Sequence, residues 1–387
     1  MTDFFEHFKT IPIEDYEQWQ RFRHFLQENV SPIIDDCWNQ GLFPKELVPH
    51  FGRFLEQEFG STAYVYPPQN PLPFRLFKME LGRTDPSMAS FFAVHWGLAM
   101  GSISMFGSEE QKKKWLSPMQ SMKKIGSWAL TEPNSGSDAA FALQCTAVKN
   151  KHGWVLSGEK KWSGNASMAD VIVVWAKEDS NDQILGFLVE PSMDGVVIDK
   201  ITDKISKRAM ENVNIQLRNV QLLENQRLPH VKSFKEIGKQ LIGGRIAVAW
   251  EALGIAMGAY EAAFSYAQER KQFGKPISSF QLIQEKLVNM LEDITVMQSL
   301  LFQLHNVECQ NGFVRSSQAS LVKRSCCRKA RNVCSIARDV LGGNGILLEY
   351  GVARLFADME AVFSYEGTDE MNTLIIGRSI TGHSAFF

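Results

Sequence analysis

Gly126-Ser127-Trp128-Ala129-Leu130-Thr131-Glu132-Pro133-Asn134-Ser135-Gly136-Ser137-Asp138 is where the chain changes texture. Residues 126–131 read as a strand, and a Pro, a Gly and several hydroxyls follow directly on it. Upstream, from residue 14 to about 124, apolar residues recur at helical spacing, as in Trp19, Phe22, Phe25 and Leu26, and again in Leu47, Phe51, Phe54 and Leu55. Ser108-Glu109-Glu110-Gln111 predicts a capped helix start. Downstream, residues 145–149, 154–160, 171–176, 184–189 and 213–217 read as short strands cut by Gly, Asn, Asp and Ser turns, which predicts an antiparallel sandwich or barrel. From about residue 233 long helical runs return, at 233–270, 278–309 and 314–341. The expected architecture is an α+β multidomain chain: a helical domain over 1–124, an antiparallel β sandwich or barrel over 125–232, and a C-terminal four-helix bundle over 233–387.

Composition narrows the function classes. With 387 residues, 44% hydrophobic and 22% charged, the chain can bury a large core. Its 26 Phe and 9 Trp leave room for a planar aromatic ligand. A net charge of -2 gives no sign of a nucleic-acid or membrane-seeking surface. Cys37, Cys145, Cys309, Cys326, Cys327 and Cys334 show no CxxC spacing and read as reduced, buried thiols rather than a disulfide frame or zinc site. Met1 to Glu6 is not a secretory signal, no stretch reads as a membrane span, and Ala385-Phe386-Phe387 is not a peroxisomal address. The expectation is a cytoplasmic enzyme.

Four stretches carry candidate chemistry. The loop after Thr131 can present N–H groups and hydroxyls to a planar ring or a phosphate, or be an ordinary strand-to-turn. In Trp162-Ser163-Gly164-Asn165 the indole can stack on a ring system or be a core tryptophan at a turn. Glu269-Arg270-Lys271-Gln272-Phe273-Gly274, which joins two long helices, offers an arginine suited to a diphosphate, or a solvated basic helix end. Leu341-Gly342-Gly343-Asn344-Gly345 lacks a preceding strand, so it is no dinucleotide fingerprint. It is a helix stop or a backbone that lies close to a ligand.

Near the end of the chain, Glu366 sits in Phe363-Ser364-Tyr365-Glu366-Gly367-Thr368, between two helical stretches at 350–361 and 370–380. A carboxylate walled by Val362, Phe363 and Tyr365 has its charged form disfavoured by burial, which raises its pKa and suits a general base.

Taken together and in this order, these motifs resemble the acyl-CoA dehydrogenase family over about residues 81–386, most closely the glutaryl-CoA dehydrogenases and plant short-chain acyl-CoA oxidases. The resemblance implies FAD bound between the middle and last domains of a homotetramer built as a dimer of dimers. It implies that Trp128, Leu130, Thr131, Gly136 and Ser137 line the flavin with Trp162, Ser163 and Gly164. Arg270, Phe273, Gln281, Asp339, Leu341, Gly342 and Gly343 would serve the FAD of a neighbouring subunit, and Thr368, Asp369 and Glu370 would also touch FAD. Ala89, Ser90, Ser137, Arg245, Gly367 and Phe386 would contact the acyl-CoA substrate. Glu366 would remove the α-proton while the β-hydrogen leaves as hydride to the flavin. Some relatives place the base at the position of Gly244, so Glu366 has no rival there. Electrons would pass to an electron-transfer flavoprotein, or to O₂ in an acyl-CoA oxidase. Glu366 and the near-neutral charge stand against a non-catalytic binding relative.

The resemblance also sets the expected acyl tail. In glutaryl-CoA dehydrogenases an arginine that pairs with the distal carboxylate occupies the position of Ala89, and here Met88, Phe91 and Phe92 surround it. A carboxylate would lose hydration there without gaining a cation. The expectation is a short- to medium-chain monocarboxylic acyl-CoA, with glutaryl-CoA a poor substrate and no decarboxylation.

Overall fold

The computed structural model describes residues 2–60, 66, 68–231 and 233–384. The N-terminal part is helical: α1 (Ile13–Asn29), α2 (Ile34–Gln40), α3 (Val48–Phe59), α4 (Leu72–Thr84), α5 (Pro86–Phe106) and α6 (Glu109–Gln120). α1 buries Trp19, Phe22 and Leu26, the face that the spacing predicts. Their neighbours are aromatic, with Phe22 stacked on Phe77 at a centroid distance of 4.0 Å. α6 opens on the expected capping box: Ser108 Oγ accepts from the Gln111 N–H at 3.2 Å, and Gln111 Oε1 accepts from the Ser108 N–H at 2.9 Å. α5 starts with Pro86 at its first position and the Asp85 carboxylate accepting from the Met88 N–H at 2.8 Å. Its middle, Ala93–Met100, winds as a π-helix, a local widening often found beside functional sites.

Seven strands follow: β1 (Gly126–Ala129), β2 (Thr146–Asn150), β3 (Gly153–Gly164), β4 (Val171–Glu178), β5 (Ile184–Val189), β6 (Val196–Lys200) and β7 (Asn212–Leu222). They form one sheet rather than a purely antiparallel sandwich. β4 lies at its centre, antiparallel to β5 on one side and parallel to β1 and then β2 on the other. Parallel neighbours need a long crossover, and the β2–β3 hairpin lies within the one from β1 to β4. The pairs β2–β3, β3–β7 and β6–β7 are antiparallel, as the strand pattern predicts. β6 escaped the reading because it is short, partly exposed and lacks clean alternation. Two register shifts interrupt β3 against β7, between Leu156 and Gly158 and between Lys160 and Ser163.

The last part holds three long helices, α7 (Phe234–Glu269), α8 (Gln281–Asn311) and α9 (Ser316–Val340), and two shorter ones, α10 (Val352–Ser364) and α11 (Asp369–Thr381). Both α5 and α7 are long and apolar enough to cross a membrane by length and composition, which the sequence reading did not register. Each is mostly buried inside the protein, so its apolar surface belongs to the core. Cys145, Cys326, Cys327 and Cys334 are buried thiols, whereas Cys37 is half-buried and Cys309 exposed.

α4 and α7 touch backbone to backbone. A Cβ added to Gly254 would stand 1.8 Å from the Met79 carbonyl oxygen, and one on Gly82 would stand 2.5 Å from that of Glu251. Gly258 repeats the contact one turn on, 2.7 Å from the Arg83 carbonyl oxygen. Gly254→Ala is therefore expected to lower the unfolding free energy by about 1–3 kcal/mol through overpacking, read as a lower urea midpoint. Gly238→Ala lies on the same helix with nothing within 4 Å of the new Cβ. It is expected to be neutral or to gain up to about 1 kcal/mol from helix propensity. Equal behaviour of the two variants would contradict the close contact.

Candidate active site

The turn between α10 and α11 carries Glu366. Glu366 and Gly367 are both left-handed, with φ 54° and 88°. For a glutamate that conformation costs about 1–2 kcal/mol, so the surroundings must hold it. Lys323, itself buried, donates from Nζ to the carbonyls of Phe363 (3.0 Å) and Gly367 (2.8 Å). Asn372 Nδ2 donates to the carbonyls of Gly367 (2.8 Å) and Thr368 (3.0 Å). The Tyr365 hydroxyl donates to Glu251 Oε2 at 2.9 Å. Thr368 then caps α11, its hydroxyl accepting from the Met371 N–H at 3.3 Å.

So held, the Glu366 carboxylate lies against Gly244 of α7. A Cβ there would stand 2.6 Å from Glu366 Oε2, so the glycine makes the space that the carboxylate fills. Oε2 has no hydrogen-bond partner among the described residues, and neither has Nε of the adjacent Arg245, whose Nη1 donates to Ser316 Oγ at 3.0 Å. Burial pushes the Glu366 carboxyl up from its ordinary value, and Arg245, Lys323 and Lys78 pull it back only in part. The surface Glu366 keeps is turned to a cavity of about 1160 Å³.

The sheet forms one wall of that cavity. Trp128, Leu130, Thr131, Gly136 and Ser137 line it from β1 and the following loop, and Trp162 and Gly164 from β3. A buried ion pair pins the loop: Lys160 Nζ donates to the Leu130 carbonyl (3.1 Å) and to Glu132 (2.7 Å). Glu132 also accepts the N–H groups of Gln144 and Cys145. Trp162 sits in the second β3 irregularity with φ 63° and is half exposed, so the bulge aims the indole out of the sheet. It is not a core tryptophan. Ser163 Oγ is buried without a partner among the described residues. Two indoles, available hydroxyls and an unsatisfied buried oxygen beside a large cavity fit a flavin ring.

α4 and α5 form the floor, with Phe77, Lys78 and Leu81 from the first and Ser90, Phe92, Ala93 and Val94 from the second. Lys207, on the segment between β6 and β7, completes it. Here one expectation fails. Ala89 does not line the cavity; its methyl is buried in the N-terminal core with Met88 and Phe91, and only its carbonyl is used, by Lys78. The floor therefore carries two lysines where an apolar acyl end is expected. Lys78, Lys207, Glu251 and Tyr66 went unnoticed in the sequence. Lys78 left a trace, as a charge on the apolar helical face Phe74-Phe77-Leu81, and so did Glu251 within Ala249-Trp250-Glu251-Ala252. Tyr66 lies with its hydroxyl over Gly243, and burial, with Glu366 adding, pushes it up to about 12, so it stays protonated.

Of the expected site residues, Ser90, Ser137, Arg245, Gly367 and Thr368 share the cavity with Glu366. Phe386 lies outside the described residues. Arg270, Phe273 and Gln281 stand away from the cavity at the α7–α8 junction, where Phe273 is 94% exposed. Asp339, Leu341, Gly342 and Gly343 end α9 or follow it beside that junction, where Asp339 pairs with Lys286 of α8 and Leu341 is buried. Asp369 is held by Arg328 at 2.7 and 2.6 Å, and Glu370 is exposed.

Comparison with known proteins agrees along the whole chain. The N-terminal, middle and C-terminal domains of acyl-CoA dehydrogenases match residues 14–123, 127–220 and 234–381. The Bacillus subtilis protein named probable acyl-CoA dehydrogenase YngJ is 32% identical over 369 residues, 92% of this chain and 95% of that protein. A glutaryl-CoA dehydrogenase from Mycobacterium smegmatis in complex with FADH2 superposes with a TM-score of 0.94 at 34% identity, over 99% of this chain and 98% of that one. Butyryl-CoA dehydrogenase from Megasphaera elsdenii gives 0.88 at 29% identity, over 96% and 99%. With matches of this extent to all three domains, the chain belongs to the acyl-CoA dehydrogenase family and is an FAD-dependent oxidoreductase.

Proposed function

We propose that the protein carries out α,β-dehydrogenation of a short- to medium-chain acyl-CoA thioester, with Glu366 as the base. The observation that carries this is the Glu366 carboxylate, which lines the cavity opposite the sheet wall, is raised in proton affinity and has one oxygen without a hydrogen-bond partner among the described residues. Bound FAD supplies the acceptor for the β-hydrogen, which leaves as hydride. Trp128, Leu130, Thr131, Gly136, Ser137, Trp162, Ser163 and Gly164 would hold its ring, since they form or flank that wall.

The Glu366 carboxylate takes the α-proton. Burial favours the neutral acid that results, while Arg245 and Lys323 keep the carboxylate populated beforehand. As the family resemblance implies, the Glu366 N–H would donate to the thioester carbonyl as charge develops there. The fixed turn holds the base in place, and a bound flavin and acyl chain would displace water from the cavity. Phe77, Leu81 and Phe92 limit the depth available to the acyl chain. Electrons leave to an electron-transfer flavoprotein. Arg270, Phe273 and Gln281, exposed and far from their own cavity, reach the FAD of a second copy in a homotetramer.

Anaerobic addition of an acyl-CoA is expected to bleach the flavin, with slow recolouring when air is admitted. Glu366→Gln keeps the shape of the side chain and is expected to retain FAD while slowing bleaching on the order of 10²-fold or more. Near-normal bleaching in that variant would mean that the base lies elsewhere. Only the carboxylate accepts the proton, so the wild-type rate is expected to rise with pH through a midpoint above the usual carboxylate range. A rate flat from about pH 5 to 8 would contradict this. Arg270→Ala is expected to weaken FAD retention and association together, measured by flavin released on gel filtration; unchanged FAD affinity would exclude its reach to a second copy.

A further inference from the structure

Three ionised side chains meet beneath the cavity. Glu251 of α7 is fully buried and faces Lys78 of α4 and Lys207 of the β6–β7 segment. Burial pushes the Glu251 carboxyl up, but the two lysines reverse this and hold it below its ordinary range. The two lysines are not equivalent. Lys207 Nζ faces four acceptors, the Pro86 carbonyl (2.8 Å), Ser90 Oγ (2.6 Å), the Tyr365 hydroxyl (2.8 Å) and Glu251, more than its three protons can serve. Lys78 Nζ has two, the Ala89 carbonyl (2.6 Å) and Glu251 Oε2 (2.8 Å). Its third N–H has no protein acceptor among the described residues, and Lys78 lines the cavity. Burial pulls the Lys78 ammonium down from its ordinary value, and Glu251 and Glu366 hold it up in part, so the spare donor belongs to a cation that a further acceptor would steady.

We infer that Lys78 is a specificity-determining residue that selects acyl groups carrying a hydrogen-bond-accepting oxygen on the chain beyond the β-carbon. The inference rests on the acyl-CoA reading of this cavity. A plain alkyl tail would seal the spare N–H of a buried ammonium away from water with nothing to accept it, whereas a tail oxygen satisfies it. One hydrogen bond to a charged donor corresponds to a preference of about 10- to 100-fold. A neutral carbonyl and a carboxylate offer the same acceptor chemistry. A carboxylate would add an ion pair with the ammonium to the hydrogen bond that both can accept.

The test uses the holoenzyme and three acyl-CoAs of similar length: hexanoyl-CoA, 5-oxohexanoyl-CoA and glutaryl-CoA. Binding is measured by titration calorimetry and, separately, by anaerobic flavin bleaching. Wild type is expected to bind at least one acceptor-tailed compound about 10- to 100-fold more tightly than hexanoyl-CoA. Preference for both means that a neutral oxygen suffices; preference for glutaryl-CoA alone means that charge is needed. In Lys78→Met, Glu251 keeps Lys207 and Tyr365, and the preference is expected to collapse. If Lys78→Met does not fold, Lys78→Arg, which keeps the cation, is expected to keep a preference for the acceptor-tailed compounds, and the wild-type series still decides. Tightest binding of hexanoyl-CoA by wild type, or a preference that persists in Lys78→Met, overturns the role of Lys78 and leaves the acyl-CoA reading standing. Failure of all three to bind or bleach overturns both.

Discussion

The backbone contact between α4 and α7 is the constraint on which the site depends. Gly82, Gly254 and Gly258 leave no room for a side chain between the helices, so the N-terminal helices are seated directly on the last domain. That seating places Lys78 within reach of Glu251 across the seam. Tyr365 then bonds to the same Glu251, which ties the turn bearing Glu366 to the floor of the cavity. Glu366 and the floor are thus referenced to one helix, α7, which also supplies Gly244 as the space that the carboxylate fills. Holding reacting groups in fixed geometry is what an enzyme of this kind contributes.

Two glutamates near the cavity floor, Glu251 buried and Glu366 half-buried, illustrate how environment shifts a carboxyl. Glu251 is enclosed by two ammonium groups and a phenol, and its carboxyl is held below its ordinary range. Glu366 faces cations that it does not hydrogen-bond through Oε2, and burial dominates, so its carboxyl is raised. The first environment favours the carboxylate and the second the neutral acid. Replacing the first with an apolar residue would leave lysines unpaired, a penalty larger than the net worth of the pair itself. Another buried acid, Asp358, accepts from Trp38 Nε1 at 2.8 Å and from the Lys207 N–H, and so anchors the β6–β7 segment against α10.

Backbone exceptions gather at the same cavity. Trp162, Lys207 and Glu366 are all non-glycine residues with left-handed φ, and all three line it. Each is over-determined by its neighbours: a bulge in β3, four acceptors around an ammonium, and a turn clamped by Lys323 and Asn372. Strain of this kind persists only where the surrounding structure is strong enough to impose it. The result is a set of side chains aimed into the cavity that regular strand or helix geometry would turn away.

The order of helices, sheet and helices is legible in the sequence, because hydrophobic spacing and turn residues are local signals. Helices α7, α8 and α9 and strand β5 lie close to where the periodicity puts them, and the capping box before α6 is present as written. The sequence also marks Glu366 as the candidate base, because a carboxylate between aromatic residues and a glycine at a helix junction is a local pattern. What it left undecided depends on which surfaces meet. The parallel pairing of β1 with β4 joins segments about forty residues apart. Ala89 reads as a cavity residue until the helix turns its methyl into the core and leaves the floor to Lys78 and Lys207, brought together from positions far apart in the chain. Only the tertiary structure decides which ammonium is saturated and which has a donor to spare, because that follows from the packing of three separate segments around one buried carboxylate.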